Sequence, residues 1–280
     1  MEIRENVELS RYTTFRMGGV CKKLYVPQST DELCELAKTL PAPVRYIGGG
    51  SNLLINDQKT FDEAVLLREF DDSIEHMGDG IFTVGASVRL QKLIKTVNSF
   101  GYGGIEYLYS VPALVGGAVY MNAGRGRSDG RCVSDFIESV TALHNGEMVT
   151  LGKSDCRFSY RDSVFKCGEY LILSVKFRFK QGTAEEFDAG IKERLEHCRV
   201  HQDSSKPNFG TAFCVADNRV MRLVCKMDKN AKGVHFSQKT RNWLLNDGGT
   251  FKQAMTRIKR VKRLHKLAFK KCKTEVVIWD

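Results

Sequence analysis

Glycines in adjacent pairs and triplets constrain this chain more than any other feature. They fall at Gly18-Gly19, Gly48-Gly49-Gly50, Gly103-Gly104 and Gly116-Gly117, with Gly124, Gly126 and Gly130 behind the last pair. Glycine adopts positive φ and lets backbone N–H groups approach a ligand, and consecutive N–H groups form a concavity that holds phosphate oxygens. A tight turn accounts for any one cluster taken alone. Several in the first half of one chain, flanked by Ser51, Asn52 and Asn122, favour a nucleotide diphosphate held by backbone amides. A Rossmann fingerprint does not fit. Gly48-Gly49-Gly50 follows a strand-like run, but the third spaced glycine is missing and the apolar Leu53-Leu54-Ile55 run stands where a helix should open.

Short apolar or alternating runs, CKKLYVP, VRYIGGG, EAVLLREF, GIFTVGAS, YLILSVKFRFK and TEVVIWD, predict strands. Helical spacing predicts helices at about 30–40 (with Ser29 or Thr30 as N-cap), 88–100, 184–202 and 250–271. The chain is therefore of the α+β class. With 280 residues it can form one large domain or two smaller ones. The pattern changes from close-spaced strands to a long polar helix after Phe179, which puts a boundary at Lys180–Thr183 and predicts domains 1–182 and 183–280.

The net charge of +10 comes from one segment: ten Lys and Arg and no acid lie between Phe251 and Lys273, and without them 33 basic residues face 33 acidic ones. Phe251, Met255, Ile258, Val261, His265 and Phe269 recur there every three or four residues, which predicts one buried helix face with cations on the other. A solvated face, a field attracting a phosphate-bearing ligand and a nucleic-acid surface are the three readings, nucleic acid ranking last because no aromatic platform interleaves the cations. Nine scattered cysteines without a CxxC pair predict reduced thiols and no metal site. His197 and His201 stand four apart without a third ligand and read as a solvated helix face; Cys214 reads as a small buried residue. Acidic Glu2, Glu5 and Glu8 in place of a leader, and no apolar run long enough for a bilayer, lead to the expectation of a cytoplasmic protein with no membrane partner.

The motifs, taken in order, resemble those of the UDP-N-acetylenolpyruvoylglucosamine reductases, flavoenzymes of bacterial peptidoglycan synthesis. Thr13-Thr14-Phe15-Arg16-Met17-Gly18-Gly19 is similar to that family's first signature. Gly48-Gly49-Gly50-Ser51-Asn52-Leu53-Leu54 and Val115-Gly116-Gly117-Ala118-Val119-Tyr120-Met121-Asn122-Ala123-Gly124 resemble its two flavin diphosphate loops. Phe158–Lys166 resembles the segment carrying a catalytic arginine, here Arg161, with Tyr160 beside it; Pro207–Phe213 aligns with the segment of the proton donor, here Thr211. Phe236–Lys239 with Asn242 is similar to the substrate-domain signature, and Thr274-Glu275-Val276 aligns with the catalytic glutamate. The resemblance implies an FAD-binding fold of the vanillyl-alcohol-oxidase/PCMH type followed by a smaller α+β substrate-binding domain. It implies NADPH as reductant, a nucleotide-sugar substrate and, among the subtypes, the shorter one. Candidate cofactor residues are Arg16, Gly48, Gly49, Gly50, Ser51, Asn52, Gly116, Gly117, Asn122 and Gly124; candidate substrate residues are Tyr160, Arg199, Lys239 and Asn242. A monomer is the default expectation.

Reduction of an enol ether conjugated with a carboxylate places negative charge on the carbon beside that carboxylate, so a site needs an enolate clamp and a proton donor. Arg161 suits the clamp through its planar, always charged fork of donors; Glu275 would strengthen it and Thr211 would protonate carbon. Outside their motifs these residues would read as a surface ion pair, an edge-strand polar residue and a turn hydroxyl. The sequence departs from the family pattern at four places: threonine for serine at Thr211, Cys214-Val215-Ala216 for a lysine-containing run, Ser110-Val111-Pro112-Ala113-Leu114 for a Gly-Ile-Pro-Gly-Thr stretch, and Thr240-Arg241 for His-Ala. If position 113 needs positive φ, alanine is strained there by about 1 kcal/mol. A flavin oxidoreductase acting on another substrate is the alternative these changes leave open, and a non-catalytic nucleotide- or nucleic-acid-binding protein is a third.

Overall fold

The computed structural model describes residues 1–41, 43–126 and 129–280. They contain six α-helices: α1 (Thr30–Thr39), α2 (Leu90–Ser99), α3 (Val115–Tyr120), α4 (Ala184–His201), α5 (Asn218–Met227) and α6 (Phe251–Leu267). Helix starts follow local chemistry. Ser29 accepts from the Glu32 N–H to cap α1, Asp217 accepts from Arg219 and Val220 to cap α5, and Thr250 with Gln253 forms a capping box on α6. No helix among the described residues is long and apolar enough to cross a membrane.

The chain forms two compact units, neither of them one continuous stretch. The first comprises Met1–Arg4, Lys23–Gly49 and Glu63–Glu196; the second comprises Glu5–Lys22, Gly50–Asp62 and His197–Asp280. The change of unit near the expected 182/183 boundary thus falls within α4, between Glu196 and His197.

In the first unit a five-stranded antiparallel sheet runs in the order Glu147–Gly152, Ile137–His144, Tyr170–Arg178, Ile81–Gly85, Ile74–Gly78. Val175 and Phe177 alternate inward along Tyr170–Arg178, and an irregularity in pairing between Ile172 and Ser174 shifts the phase so that Ile172 joins them; α2 contributes Leu90, Leu93, Ile94 and Val97, and α3 adds Val115, Ala118 and Val119. A smaller cluster packs Leu33 and Leu36 of α1 against Tyr25, Val65, Leu143 and Leu173.

The second unit holds an antiparallel sheet, Asn208–Thr211, Trp243–Asp247, Gly233–Phe236, and two further pairs: Phe213–Val215 with Lys273–Thr274, and Val277–Trp279 parallel to Leu53–Ile55. Its core joins Phe15 and Met17 to Phe209, Phe213, Phe236 and Ile258, and Phe15 meets Phe209 with ring centroids 4.8 Å apart. That packing explains why the N-terminal Thr-Thr-Phe-Arg-Met signature belongs with residues from the other end of the chain.

The expected face of α6 needs one correction. Phe251, Ile258, Val261 and His265 are buried, but Phe269 is 97% exposed at φ 52° beyond the helix end. The Phe269 N–H donates to the Lys266 carbonyl (3.1 Å) and the Lys270 N–H to that of His265 (2.9 Å), a Schellman stop that ends the helical spacing at Leu267. Arg257 and Arg260 leave the solvated face to bond the buried Asp228, at 3.4 and 2.9 Å.

Candidate active site

In the first unit, α3 starts where two backbone bonds fasten it: Val115 N–H to Val88 O (2.8 Å) and Gly116 N–H to Ala86 O (2.9 Å). A Cβ on Gly116 would lie 3.1 Å from the Ala86 Cβ, so glycine lets helix and strand close up. The Ala118 N–H donates to Leu114 O, whereas the Gly117 N–H meets no acceptor among the described residues. Gly117 is exposed, and apart from its chain neighbours and its own helix backbone no atom lies within 4 Å of where its Cβ would be. Gly48 and Gly49, just past the strand Tyr46–Ile47, also present N–H groups that no described residue accepts. The two loops are neighbours: a Cβ on Gly49 would stand 3.4 Å from Pro112 O and 3.5 Å from Leu114 N. Arg68 donates to Gly49 O at 3.3 Å, a support no motif signalled. N–H groups displayed by residues that carry no Cβ suit the diphosphate of FAD.

Behind α3 the chain turns at Asn122 (φ 42°), which is buried and bonded from Nδ2 to Ser159 O (2.9 Å) while its Oδ1 accepts the Ser134 N–H. Arg161 is the third residue of a tight turn closed by reciprocal Ser159–Asp162 bonds, at φ 56°. An arginine at positive φ costs about 1 kcal/mol, and such strain collects at functional sites. Its guanidinium donates to Asn122 O (3.2 Å) and Gly124 O (2.6 Å) and stands 5.4 Å from the Tyr160 ring centroid. The Lys166 ammonium bonds the Arg161 carbonyl. Burial raises the Tyr120 phenol above its usual pKa, with the Asp162 carboxylate adding to the effect. Gly48, Gly49, Gly116, Gly117, Asn122, Gly124, Tyr160 and Arg161 therefore all stand in this unit.

The other candidates stand in the second unit. Gly50 has φ 65°, and a Cβ there would sit 1.8 Å from Tyr12 O; its carbonyl accepts the Thr14 N–H at 3.0 Å. Arg16 is exposed at φ 51°, with its carbonyl among the acceptors of the Asn246 amide. Asn52 is tied to the C-terminal segment: its Nδ2 donates to Glu275 O (3.2 Å) and its carbonyl accepts the Val277 N–H (3.0 Å). The Glu275 N–H in turn donates to Ala212 O at 2.8 Å, which brings Glu275 beside Thr211. Thr211 is half-buried, opposite Trp243 in its strand pair, and its hydroxyl meets no partner among the described residues.

Asn242 holds that segment in place, with Oδ1 accepting the Phe213 N–H (3.1 Å) and Nδ2 donating to Phe213 O (2.8 Å). The Lys239 ammonium donates to the Arg199 carbonyl at 2.8 Å, and both residues are exposed. Ser237, within the Phe236–Lys239 signature but given no role of its own by sequence, is buried, donates to Asp203 and accepts from the Lys239 and Thr240 N–H groups. Burial by itself would raise the Asp203 pKa; bonds from Ser205 and Ser237 outweigh it and hold the carboxylate below its usual value. The His197 and His201 rings are 4.7 Å apart, and no group of three metal-ligating side chains exists among the described residues. Cys214 is half-buried and donates to Lys273 O at 3.5 Å.

Comparison with known proteins gives these features a family. Residues 22–152 match the FAD binding domain family. The UDP-N-acetylenolpyruvoylglucosamine reductase of Geotalea uraniireducens (strain Rf4) is 31% identical over 255 residues, 89% of this chain and 83% of that protein. The Thermotoga maritima enzyme of the same name is 30% identical over 280 residues, 97% of each. The crystal structure of UDP-N-acetylenolpyruvylglucosamine reductase from Thermus caldophilus superposes with a TM-score of 0.80 at 26% identity, covering 100% of both chains. The FAD-binding α+β fold implied by the motifs is the fold of this chain. The chain belongs to the UDP-N-acetylenolpyruvoylglucosamine reductase family.

Proposed function

We propose that this protein reduces UDP-N-acetylglucosamine enolpyruvate to UDP-N-acetylmuramate with NADPH, in the synthesis of peptidoglycan precursors. Bound FAD supplies the hydride relay, from the nicotinamide to the terminal enolpyruvyl carbon. The observation that carries the reading is the pair of glycine loops whose N–H groups at Gly48, Gly49 and Gly117 stand open beside Leu114, in a chain with this family's motifs in order. These donors, with Gly50, Ser51 and Arg16, are assigned to the flavin diphosphate; Gly116, Asn122 and Gly124 hold their loop, and Asn52 tethers the Glu275 segment.

Arg161 is assigned to the substrate carboxylate, where its delocalised charge stabilises the enolate that hydride addition creates. Glu275 polarises the same group, and the Thr211 hydroxyl donates the proton to carbon. Tyr160, Arg199 and Lys239 are assigned to the nucleotide sugar, and Asn242 positions Thr211 through Phe213. Residues 1–182 serve chiefly the flavin and 183–280 the substrate. A cytoplasmic monomer suits a reaction between NADPH and a nucleotide sugar, and nine free cysteines suit a reducing compartment.

The test is NADPH oxidation by the purified yellow protein with and without the enolpyruvyl nucleotide sugar. Substrate-dependent oxidation supports the assignment. A flavin that NADPH reduces but this substrate does not reoxidise favours the alternative, a flavin oxidoreductase with another substrate, which the threonine at 211 and the cysteine at 214 motivate. A colourless protein that takes up no FAD removes both.

A further inference from the structure

The end of α6 combines three features that folding alone does not ask for. Phe269 occupies the left-handed position after the helix, where glycine is the favourable residue, and leaves 97% of its surface in solvent. Leu267, two residues earlier, is 65% exposed. Around them Arg263, Lys266, Lys270, Lys271 and Lys273 are all exposed, and no acid occurs between Phe251 and Lys273. Cations near a helix C-terminus complement its dipole, which explains some of the lysines but not an aromatic in a strained, fully solvated position. Asp217, which interacts with Lys270, is already engaged by the N–H groups of Arg219 and Val220. With Arg257 and Arg260 committed to Asp228, the open positive field concentrates toward the helix end.

We propose that this tip is a peripheral docking site for an anionic lipid surface, with Leu267 and Phe269 entering the interface and the surrounding Lys and Arg side chains lying among the headgroups. The cations select an anionic partner. Among anionic macromolecular surfaces, a bilayer offers an apolar layer just beneath its phosphates, into which an aliphatic and an aromatic side chain can be buried together. A nucleic acid could stack on Phe269 but has nothing comparable for Leu267. That no helix among the described residues is long and apolar enough to cross a membrane does not bear on such a contact, which needs only a few inserted side chains and an electrostatic ring. Attachment through one tip is weak and reversible, and leaves the reductase assigned above unaltered.

The experiment is co-sedimentation of the full-length FAD-loaded protein with vesicles of phosphatidylcholine alone or mixed with phosphatidylglycerol, at low and high salt. Binding is expected only to the phosphatidylglycerol vesicles and only at low salt. Phe269→Gly is the decisive variant: glycine relieves the backbone, so its melting temperature rises, while its vesicle affinity falls about tenfold or more. Lys270→Glu and Lys271→Glu each lower affinity by about fivefold or more. The proposal is overturned by no vesicle binding, by equal binding to both vesicle types, by a Phe269→Gly protein that binds as well as the parent, or by preferential binding to a single-stranded RNA oligonucleotide. Substrate-dependent NADPH oxidation, run in parallel, reports on the reductase separately.

Discussion

Replacing Gly117 by alanine separates cofactor binding from stability. The residue lies inside α3 without positive φ, and nothing beyond its chain neighbours and its own helix backbone stands within 4 Å of the new Cβ, so the substitution meets no steric resistance in the protein. Alanine in a helix is favoured over glycine by about 1 kcal/mol, so the flavin-free variant should melt at the same temperature as the parent or a few degrees higher. The methyl group instead occupies the open space beside the N–H assigned to the flavin diphosphate. Losing one hydrogen bond to a charged oxygen costs about 1.5–3 kcal/mol, which predicts an FAD Kd raised roughly tenfold to a hundredfold. Gly50→Ala is the contrast. Its φ of 65° and a Cβ 1.8 Å from Tyr12 O force the backbone to move and threaten the Thr14 N–H bond to Gly50 O. The cost of about 2–3 kcal/mol appears with or without flavin. Thermal melts of the flavin-free proteins and quenching of FAD fluorescence measure both quantities. A Gly117→Ala protein with an unchanged Kd for FAD would refute the assignment of that N–H to the cofactor.

Thr211→Ser should keep or raise turnover, whereas Thr211→Ala should leave flavin reduction by NADPH intact and slow reoxidation by substrate about a hundredfold or more; stopped-flow absorbance resolves the half-reactions, and equal rates would take Thr211 out of the mechanism. Asp228→Ala leaves Arg257 and Arg260 facing each other without their carboxylate and removes the acceptor of the Phe236 N–H, so stability should fall by about 3 kcal/mol in urea unfolding. Burial pushes the Cys156 and Cys225 thiols up from 9.0 to about 11, so the folded state holds protons that the unfolded state releases. Their contribution is complete below pH 9 and is lost as pH rises toward 11. The melting temperature should drop over that window, less steeply in a Cys156→Ala, Cys225→Ala protein, and both thiols should resist alkylation at pH 8 in the native state while exposed Cys167 reacts.

Much of this architecture is written in local sequence. Ser29 and the spacing behind it specify α1, and the glycine loops specify where the backbone must approach something closely. Some signals were present but unused. Asn145-Gly146, with φ of 52° and 80°, joins Ile137–His144 to Glu147–Gly152, and Asn-Gly between apolar runs is among the strongest hairpin signals. Asp217 followed by Val220, Met221, Val224 and Cys225 marks α5 just as plainly. The stop of α6 was hidden because spacing cannot distinguish a final buried phenylalanine from one that follows a Schellman turn. The composition of the two units was also illegible from local pattern: it rests on contacts such as Thr14 Oγ1 to Asn208 O and Asn246 Nδ2 to Phe15 O, between residues about two hundred positions apart.

The departures from the family pattern make physical sense as exchanges within the scaffold. Ser110 receives a bond from the buried guanidinium of Arg194 at 2.7 Å, so its hydroxyl satisfies a charge on α4. Ala113 does not have positive φ, and its carbonyl accepts the Leu90 N–H, so the strain considered for alanine in that loop does not arise. Thr240 donates to His201 O at 2.9 Å and takes its N–H to Ser237, holding the substrate-domain signature against the end of α4. At Ser110 and Thr240 the unusual side chain bonds within its own unit, and at Ala113 the backbone does. None of these exchanges engages the N–H groups of Gly48, Gly49 and Gly117 or the Thr211 hydroxyl, and Arg161 has positive φ. An arginine held at positive φ costs about 1 kcal/mol, a strain that the role proposed for Arg161 would account for. The substitution at Thr211 is different in kind: it changes a proposed reacting group rather than a support, and the added methyl narrows χ1, so the orientation of one hydroxyl is what the Thr211→Ser comparison measures.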